Sequence, residues 1–149
     1  MIAWVRRRAA DESGSTLPLI IFYGFLSLVL VLMVVAATSL YLERKRLFTL
    51  ADGAALVGAE AFDLEQVTRE DGKVELHLDT ADVTSAVSNY IGQTPHHDFD
   101  SLRIENAESA DGRSATVSLS AAWKPPVLTL VLPEGIRIDV TAAARSVFE

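Results

Sequence analysis

The sequence predicts an α+β protein in which a long N-terminal transmembrane helix precedes a small antiparallel sheet domain with one packed helix. The first 62 residues contain a long uncharged stretch and then a helical spacing of small residues. Beyond residue 62, apolar and polar residues alternate as they do in half-buried strands. These changes divide the 149-residue chain into a basic tail, residues 1–16, a transmembrane helix, residues 17–42, a helix extension, residues 43–62, and an α+β domain, residues 63–149.

Residues 17–42 are 26 positions without a charge, and sixteen of them are Leu, Ile, Val or Phe. About 20 apolar residues suffice to cross a hydrocarbon core of about 30 Å. A soluble domain of this size could hardly surround a helix that is apolar on every face. A signal peptide cleaved near Ala37 is the alternative, but its apolar region should span only about 7 to 15 residues. We therefore expect a permanent single-pass anchor.

Charge leaves the orientation of the anchor open and disfavours one class of partner. Three basic residues lie on each side of the apolar stretch, at residues 6–8 and 44–46, so the positive-inside count is a tie. The short basic tail and the bulky domain after the anchor favour a cytoplasmic N-terminus and an extracytoplasmic C-terminal domain. From Asp63 onward there are fifteen acidic and seven basic side chains, a surface that should repel nucleic acid and anionic lipid. Cysteine is absent, so disulfides and thiol chemistry are excluded.

The helix is expected to begin near residue 16, because Pro18 fits a first helical turn. No helix breaker follows until Gly53, and small or apolar residues continue to recur at helical spacing to about residue 62. A helix face made of small residues lets another helix approach closely. The small residues of this face are Ala51, Ala54, Ala55 and Gly58.

The run Ala51-Asp52-Gly53-Ala54-Ala55-Leu56-Val57-Gly58-Ala59 follows an apolar helix and a basic cluster. This order resembles the N-terminal module of TadE- and TadG-like proteins of the tight-adherence (Flp) pilus machinery, over about residues 12 to 62. The resemblance implies a non-enzymatic, minor pilin-like protein of the bacterial cell membrane. It also implies contacts with other pilin-like or pilus-assembly proteins through the N-terminal helix. The expected contact residues are Ala51, Asp52, Ala54, Ala55 and Gly58.

The resemblance also points to a processing site at Gly14 and Ser15. Pilins of this kind are usually cleaved after a glycine and carry a glutamate at the fifth mature position, where this chain has Leu19. Without that carboxylate, the new amino terminus would be an unpaired charge in an apolar bundle. We therefore do not expect the chain to be a major filament subunit. TadG-like relatives typically lack the glutamate, so cleavage after Gly14 stays open.

Four strands and one helix are expected in the α+β domain. Asp71-Gly72 introduces the first strand, and Asp79 or Thr80 caps a helix that Gly92 closes. Asp111-Gly112 is a hairpin signal between two later strands. Together these elements predict one sheet with a helix on one face, a pilin-like outline. The expected strands are residues 74–78, residues 99–106 with Leu102 and Ile104 inward, residues 115–123 and residues 136–142.

Candidate chemistry is sparse in this sequence. His96, His97 and Asp98 are adjacent, but His77 is the only other histidine, so a zinc site is not expected. No nucleophile elbow or phosphate-binding glycine loop is present. We expect no enzyme activity, no cofactor, no metal and no small-molecule substrate, and membrane lipid as one partner. Trp123 and residues 127–132 belong either to the core or to an apolar patch that meets a partner. The alternative function is a single-pass extracytoplasmic binding or sensory protein unrelated to pili.

Overall fold

The computed structural model describes residues 16–62, 68–70, 73–75, 77–95, 99–125 and 133–145. The chain divides into two compact units, Met1–Ala37 and Thr38–Glu149. The helix extension at residues 43–62 therefore belongs to the C-terminal unit. The expected processing site at Gly14 and Ser15, the histidines His96 and His97, and the apolar residues 127–132 lie outside the described residues.

The first helix, α1, spans Thr16–Ala59 and begins where Pro18 was expected to start it. The described residues of the N-terminal unit are mostly apolar, and each of them is exposed or half-buried. By length and composition α1 can cross a membrane, and its most apolar 18-residue stretch has no buried residue. A helix that is apolar all round and has no protein cover matches a lipid environment. The first unit thus has the properties of a single-pass anchor.

The second helix, α2, spans Thr80–Gln93, and Asp79 is its N-cap. The Asp79 carboxylate accepts a hydrogen bond of 2.7 Å from the backbone N–H of Ala81. Val83, Val87 and Ile91 are buried, so the predicted apolar face of this helix is confirmed. The prediction that Gly92 ends the helix is wrong by two residues, because the C-cap is Thr94.

Three antiparallel strands form the main sheet in the order β3-β4-β5: Asp100–Glu108, Ser114–Trp123 and Ile136–Arg145. The central strand β4 buries Ala115, Val117, Leu119, Ala121 and Trp123, which confirms the predicted alternation. Strand β5 pairs with β4 without interruption along its whole length. The core contains these residues together with the inward faces of α1 and α2.

Strand β3 departs from the expected alternation. Its pairing with β4 shifts register twice, and Ser101 has a φ of 51°. Ile104 is paired with the inward residue Leu119 but remains 37% exposed, while Ala107 is buried. Bulges insert extra residues into one strand and disturb the alternation of its side chains between the two faces of the sheet. The Ile104 side chain, predicted to point inward, is therefore only partly buried.

A separate two-stranded sheet precedes α2. Strands β1, Thr68–Glu70, and β2, Lys73–Glu75, pair antiparallel with Glu70 opposite Lys73. The prediction of one strand at residues 74–78 in a shared sheet is therefore wrong, because β2 ends at Glu75 and pairs with β1 alone. The Asp71-Gly72 pair, which was expected to introduce the strand, lies outside the described residues. Leu78 is buried outside any strand, and its N–H donates to the carbonyl of Gly112 at 2.9 Å.

Candidate helix interface

The small residues of α1 face the interior of the C-terminal unit. Ala51, Ala54 and Ala55 have no exposed surface, and Gly58 is also buried. A Cβ atom at Gly58 would lie 3.1 Å from the Cβ of Ala115. It would also lie 3.2 Å from Val83 Cγ1 and 3.3 Å from Val87 Cγ2. The close approach that small residues allow is therefore made with α2 and β4 of the same chain.

A second face of α1 is exposed and contains three residues at a spacing of four. Phe48 is 47% exposed, Leu56 is 53% exposed, and the exposed Asp52 lies one turn from each. Residues four apart lie on the same side of a helix. Two large apolar side chains with a carboxylate between them form what we call the outer face of α1.

Asp52 is the one expected contact residue that lies on the outer face. Within the described ranges no basic group lies within 4.0 Å of its carboxylate, so Asp52 forms no ion pair with Arg44 or Lys45 about two turns before it. Its two apolar neighbours, Phe48 and Leu56, were not among the sequence candidates. The sequence signal that could have identified them is their spacing, since each lies four residues from Asp52. They lie on a different side of the helix from the small residues.

Helix α1 runs antiparallel to β4 across the core. At one end the Nε1–H of Trp123 donates a hydrogen bond of 3.2 Å to Oγ of Ser39. At the other end Gly58 lies against Ala115, near the start of β4. About 19 helical residues at 1.5 Å match the span of a ten-residue strand at about 3.3 Å per residue. Trp123 is 8% exposed, so it is a core residue that also fixes this alignment.

The polar groups on the opposite face of the sheet form cross-strand links. Arg137 Nη1 donates to Ser120 Oγ at 2.6 Å, and the Ser120 hydroxyl donates to Glu105. Arg137 and Glu105 also approach within 3.9 Å, and Lys124 lies 3.0 Å from Asp100. Cross-strand pairs of this kind stabilise a sheet.

One perturbed carboxyl group lies in the turn between β3 and β4. The backbone N–H groups of Arg113 and Ser114 and the Ser114 hydroxyl all donate to Asp111, and they lower its pKa from 3.8 to about 2. Gly112 follows with a φ of 66°, a conformation that glycine adopts without strain. The predicted hairpin signal is therefore confirmed as a structural turn. Across the described parts of the chain, no three His, Asp or Glu side chains are grouped to hold a metal ion.

An apolar helix that can span a membrane, followed by a second helix and a small antiparallel sheet, defines a class of single-pass α+β proteins. Within this class, residues 14–61 match the family model Tad, described as "Putative Flp pilus-assembly TadE/G-like". The match covers α1 and its alanine-rich run, confirms the resemblance, and supports a pilus-related role. Pilus-assembly proteins of this family are generally structural rather than enzymes. No curated protein and no solved structure matches the chain.

Proposed function

We propose that this chain is a non-enzymatic, membrane-anchored, minor pilin-like component of a tight-adherence (Flp) pilus assembly or secretion apparatus. The family match at residues 14–61 supports the pilus-related role. The exposed apolar part of α1 supports the anchor, because such a surface is stable in lipid and costly in water. The N-terminus is cytoplasmic in this proposal and the C-terminal unit lies outside the bacterial cell membrane.

The observation that carries the proposal is the outer face of α1. Two large apolar side chains, Phe48 and Leu56, remain about half exposed although the same helix buries its small residues completely. Exposed apolar residues at helical spacing form a surface on which an amphipathic or apolar helix can pack. Asp52 lies between them and gives that surface a negative charge that selects a partner with a cation at the same level. The partner we propose is the N-terminal helix of another pilin-like protein.

Photocrosslinking in the native bacterium tests this interface. A photoreactive amino acid is placed at Phe48 or at Leu56, and Asn89 on the exposed side of α2 is the matched control. We expect crosslinks from positions 48 and 56 whose partner peptide maps to an apolar N-terminal helix, and none from position 89. Crosslinks to lipid alone, or equal yields at all three positions, would contradict the proposed interface.

The mature N-terminus distinguishes this function from its alternatives. Mass spectrometry of the membrane-fraction protein should find Met1 intact if the anchor is permanent. A start at Ser15 would instead show pseudopilin processing after Gly14, and a start at Thr38 would show a secreted protein. A permanent anchor without any effect of gene deletion on pilus assembly would favour the extracytoplasmic binding or sensory protein.

A further inference from the structure

The end of the sheet that carries Trp123 is held beside a part of α1 that belongs to the apolar run. Trp123 donates to Ser39 at 3.2 Å, and Ser39 lies three residues before Leu42, the last uncharged residue of that run. Both partners belong to the C-terminal unit. In the proposed anchor, Ser39 lies near the boundary between hydrocarbon and headgroups, so the end of β4 is at the same level.

Exposed apolar side chains lie near the Trp123–Ser39 hydrogen bond, at the end of β4. Ile136 begins β5 directly opposite Trp123 and is 48% exposed, although the inward residues Val140 and Ala142 further along the strand are buried. On α1, Tyr41 is 65% exposed and Leu42 is 48% exposed. Tyrosine is enriched at membrane interfaces, where its apolar ring and its polar hydroxyl meet different surroundings. In water these side chains would be exposed at a cost, whereas at a lipid boundary they would be covered.

Basic residues collect at the same end of an otherwise acidic unit. Of the ten basic residues from Thr38 onward, five lie here: Arg44, Lys45, Arg46, Lys124 and Arg137. Four acidic residues lie at this end as well: Asp100, 3.0 Å from Lys124, Glu105, 3.9 Å from Arg137, and Glu43 and Glu134. The excess of positive charge is therefore on α1, where the exposed residues 44–46 follow Glu43. Basic groups near a bilayer surface bind anionic headgroups.

We propose that this end of the C-terminal unit docks on the membrane surface. Ile136 enters the boundary between acyl chains and headgroups, and residues 44–46 contact anionic headgroups. We call the docked set, Tyr41, Ile136 and residues 44–46, the membrane-facing end. The inference rests on the membrane anchor of the proposed function and adds a second, peripheral contact with lipid. Such a contact would hold the outer face of α1 at a constant height above the bilayer.

The absence of cysteine makes site-specific labelling direct. Full-length chains with one introduced cysteine, Leu30→Cys, Ile136→Cys or Ala143→Cys, are labelled with the fluorophore NBD. Ala143 is an exposed residue of the same strand, about 23 Å from Ile136 at 3.3 Å per residue, and is the matched control. The labelled chains are reconstituted in vesicles of phosphatidylcholine and phosphatidylglycerol, with and without a lipid that carries a doxyl quencher.

We expect the doxyl lipid to quench labels at positions 30 and 136 and to leave position 143 unquenched. Quenching at 30 with no difference between 136 and 143 would overturn the docking and leave the anchor intact. No quenching at 30 would overturn the anchor and the docking together. In vesicles of phosphatidylcholine alone, quenching at 136 should fall while that at 30 persists; an unchanged value at 136 would overturn the role of the basic residues. Glu134→Cys, exposed in the turn before β5, repeats the measurement if Ile136→Cys does not fold.

Discussion

The indole nitrogen of Trp123 donates a hydrogen bond of 3.2 Å to the hydroxyl of Ser39, across 84 positions of sequence. The indole is 8% exposed, so its N–H has little access to water if the serine oxygen is removed. Ser39→Ala should therefore lower the free energy of unfolding by about 1 to 3 kcal/mol, the usual effect of leaving a buried donor unsatisfied. Denaturant unfolding of the full chain in detergent micelles, followed by circular dichroism, measures this change.

The matched control for that bond is Thr49→Ala. The Thr49 hydroxyl donates to the carbonyl of Lys45 within the same helix and is exposed, so its removal leaves no buried group unpaired. Trp123→Phe in the Ser39→Ala background should restore part of the loss, since the unsatisfied donor is then gone. Equal effects of Ser39→Ala and Thr49→Ala would show that the bond does not stabilise the fold.

Gly58 is the point of closest approach between α1, α2 and β4, and Gly58→Ala should destabilise the protein. The added methyl group would lie 3.1 to 3.3 Å from carbons of Ala115, Val83 and Val87. Overpacking of this kind costs about 1 to 3 kcal/mol, which exceeds the gain of about 1 kcal/mol from replacing a helical glycine. Thermal unfolding monitored by circular dichroism gives the net value.

Two further variants make the Gly58 prediction specific. Ala115→Gly removes the nearest methyl group and should recover part of the stability of Gly58→Ala when the two are combined. At Gly92, near the end of α2, an added Cβ meets nothing within 4 Å, so Gly92→Ala should be neutral or stabilising. A Gly58→Ala protein as stable as the parent would refute tight packing at this position.

The Asp111 turn should make stability depend on acid pH. The pKa of this carboxyl is about 2 in the folded chain against an ordinary value of 3.8, because backbone and hydroxyl donors stabilise its charged form. The contribution of ionised Asp111 to the free energy of unfolding is therefore fully present above pH 3.8 and is lost as pH falls from 3.8 toward 2. The melting temperature of Asp111→Asn, which cannot titrate, should fall less steeply than that of the parent across this window. Equal slopes of melting temperature against pH for the two proteins would show that Asp111 does not cause the acid dependence.

The segments with strong periodicity could be predicted from the sequence alone. The apolar run predicted α1, the spacing of Val83, Val87 and Ile91 predicted α2, and alternation predicted β4 and β5. Each of these patterns is local, because the burial of one helix or strand face leaves its period in neighbouring residues.

Contacts between distant segments could not be predicted in the same way. Small residues on α1 indicate close packing but do not say against what, and the structure places α2 and β4 there. The alternation around Val74 indicates a strand but does not say which strand pairs with it, and the structure pairs β2 with β1. Phe48 and Leu56 became candidates once the other side of the helix was known to be buried.

The anchor predicts that charges in the middle of the apolar run reduce membrane insertion. Val31 is 56% exposed and lies near the centre of residues 17–42, and Val31→Lys should cost about 2.5 to 3.5 kcal/mol of insertion free energy. Adding Leu28→Lys, at another exposed position of the run, should increase the loss. The fraction of protein that stays with membranes after alkaline carbonate extraction measures the effect.

Leu56→Lys is the control, since Leu56 is about equally exposed but lies beyond the apolar run. The fraction of this variant that stays with membranes should equal that of the parent. If the double lysine variant remained fully membrane-bound, α1 would not be inserted at this position.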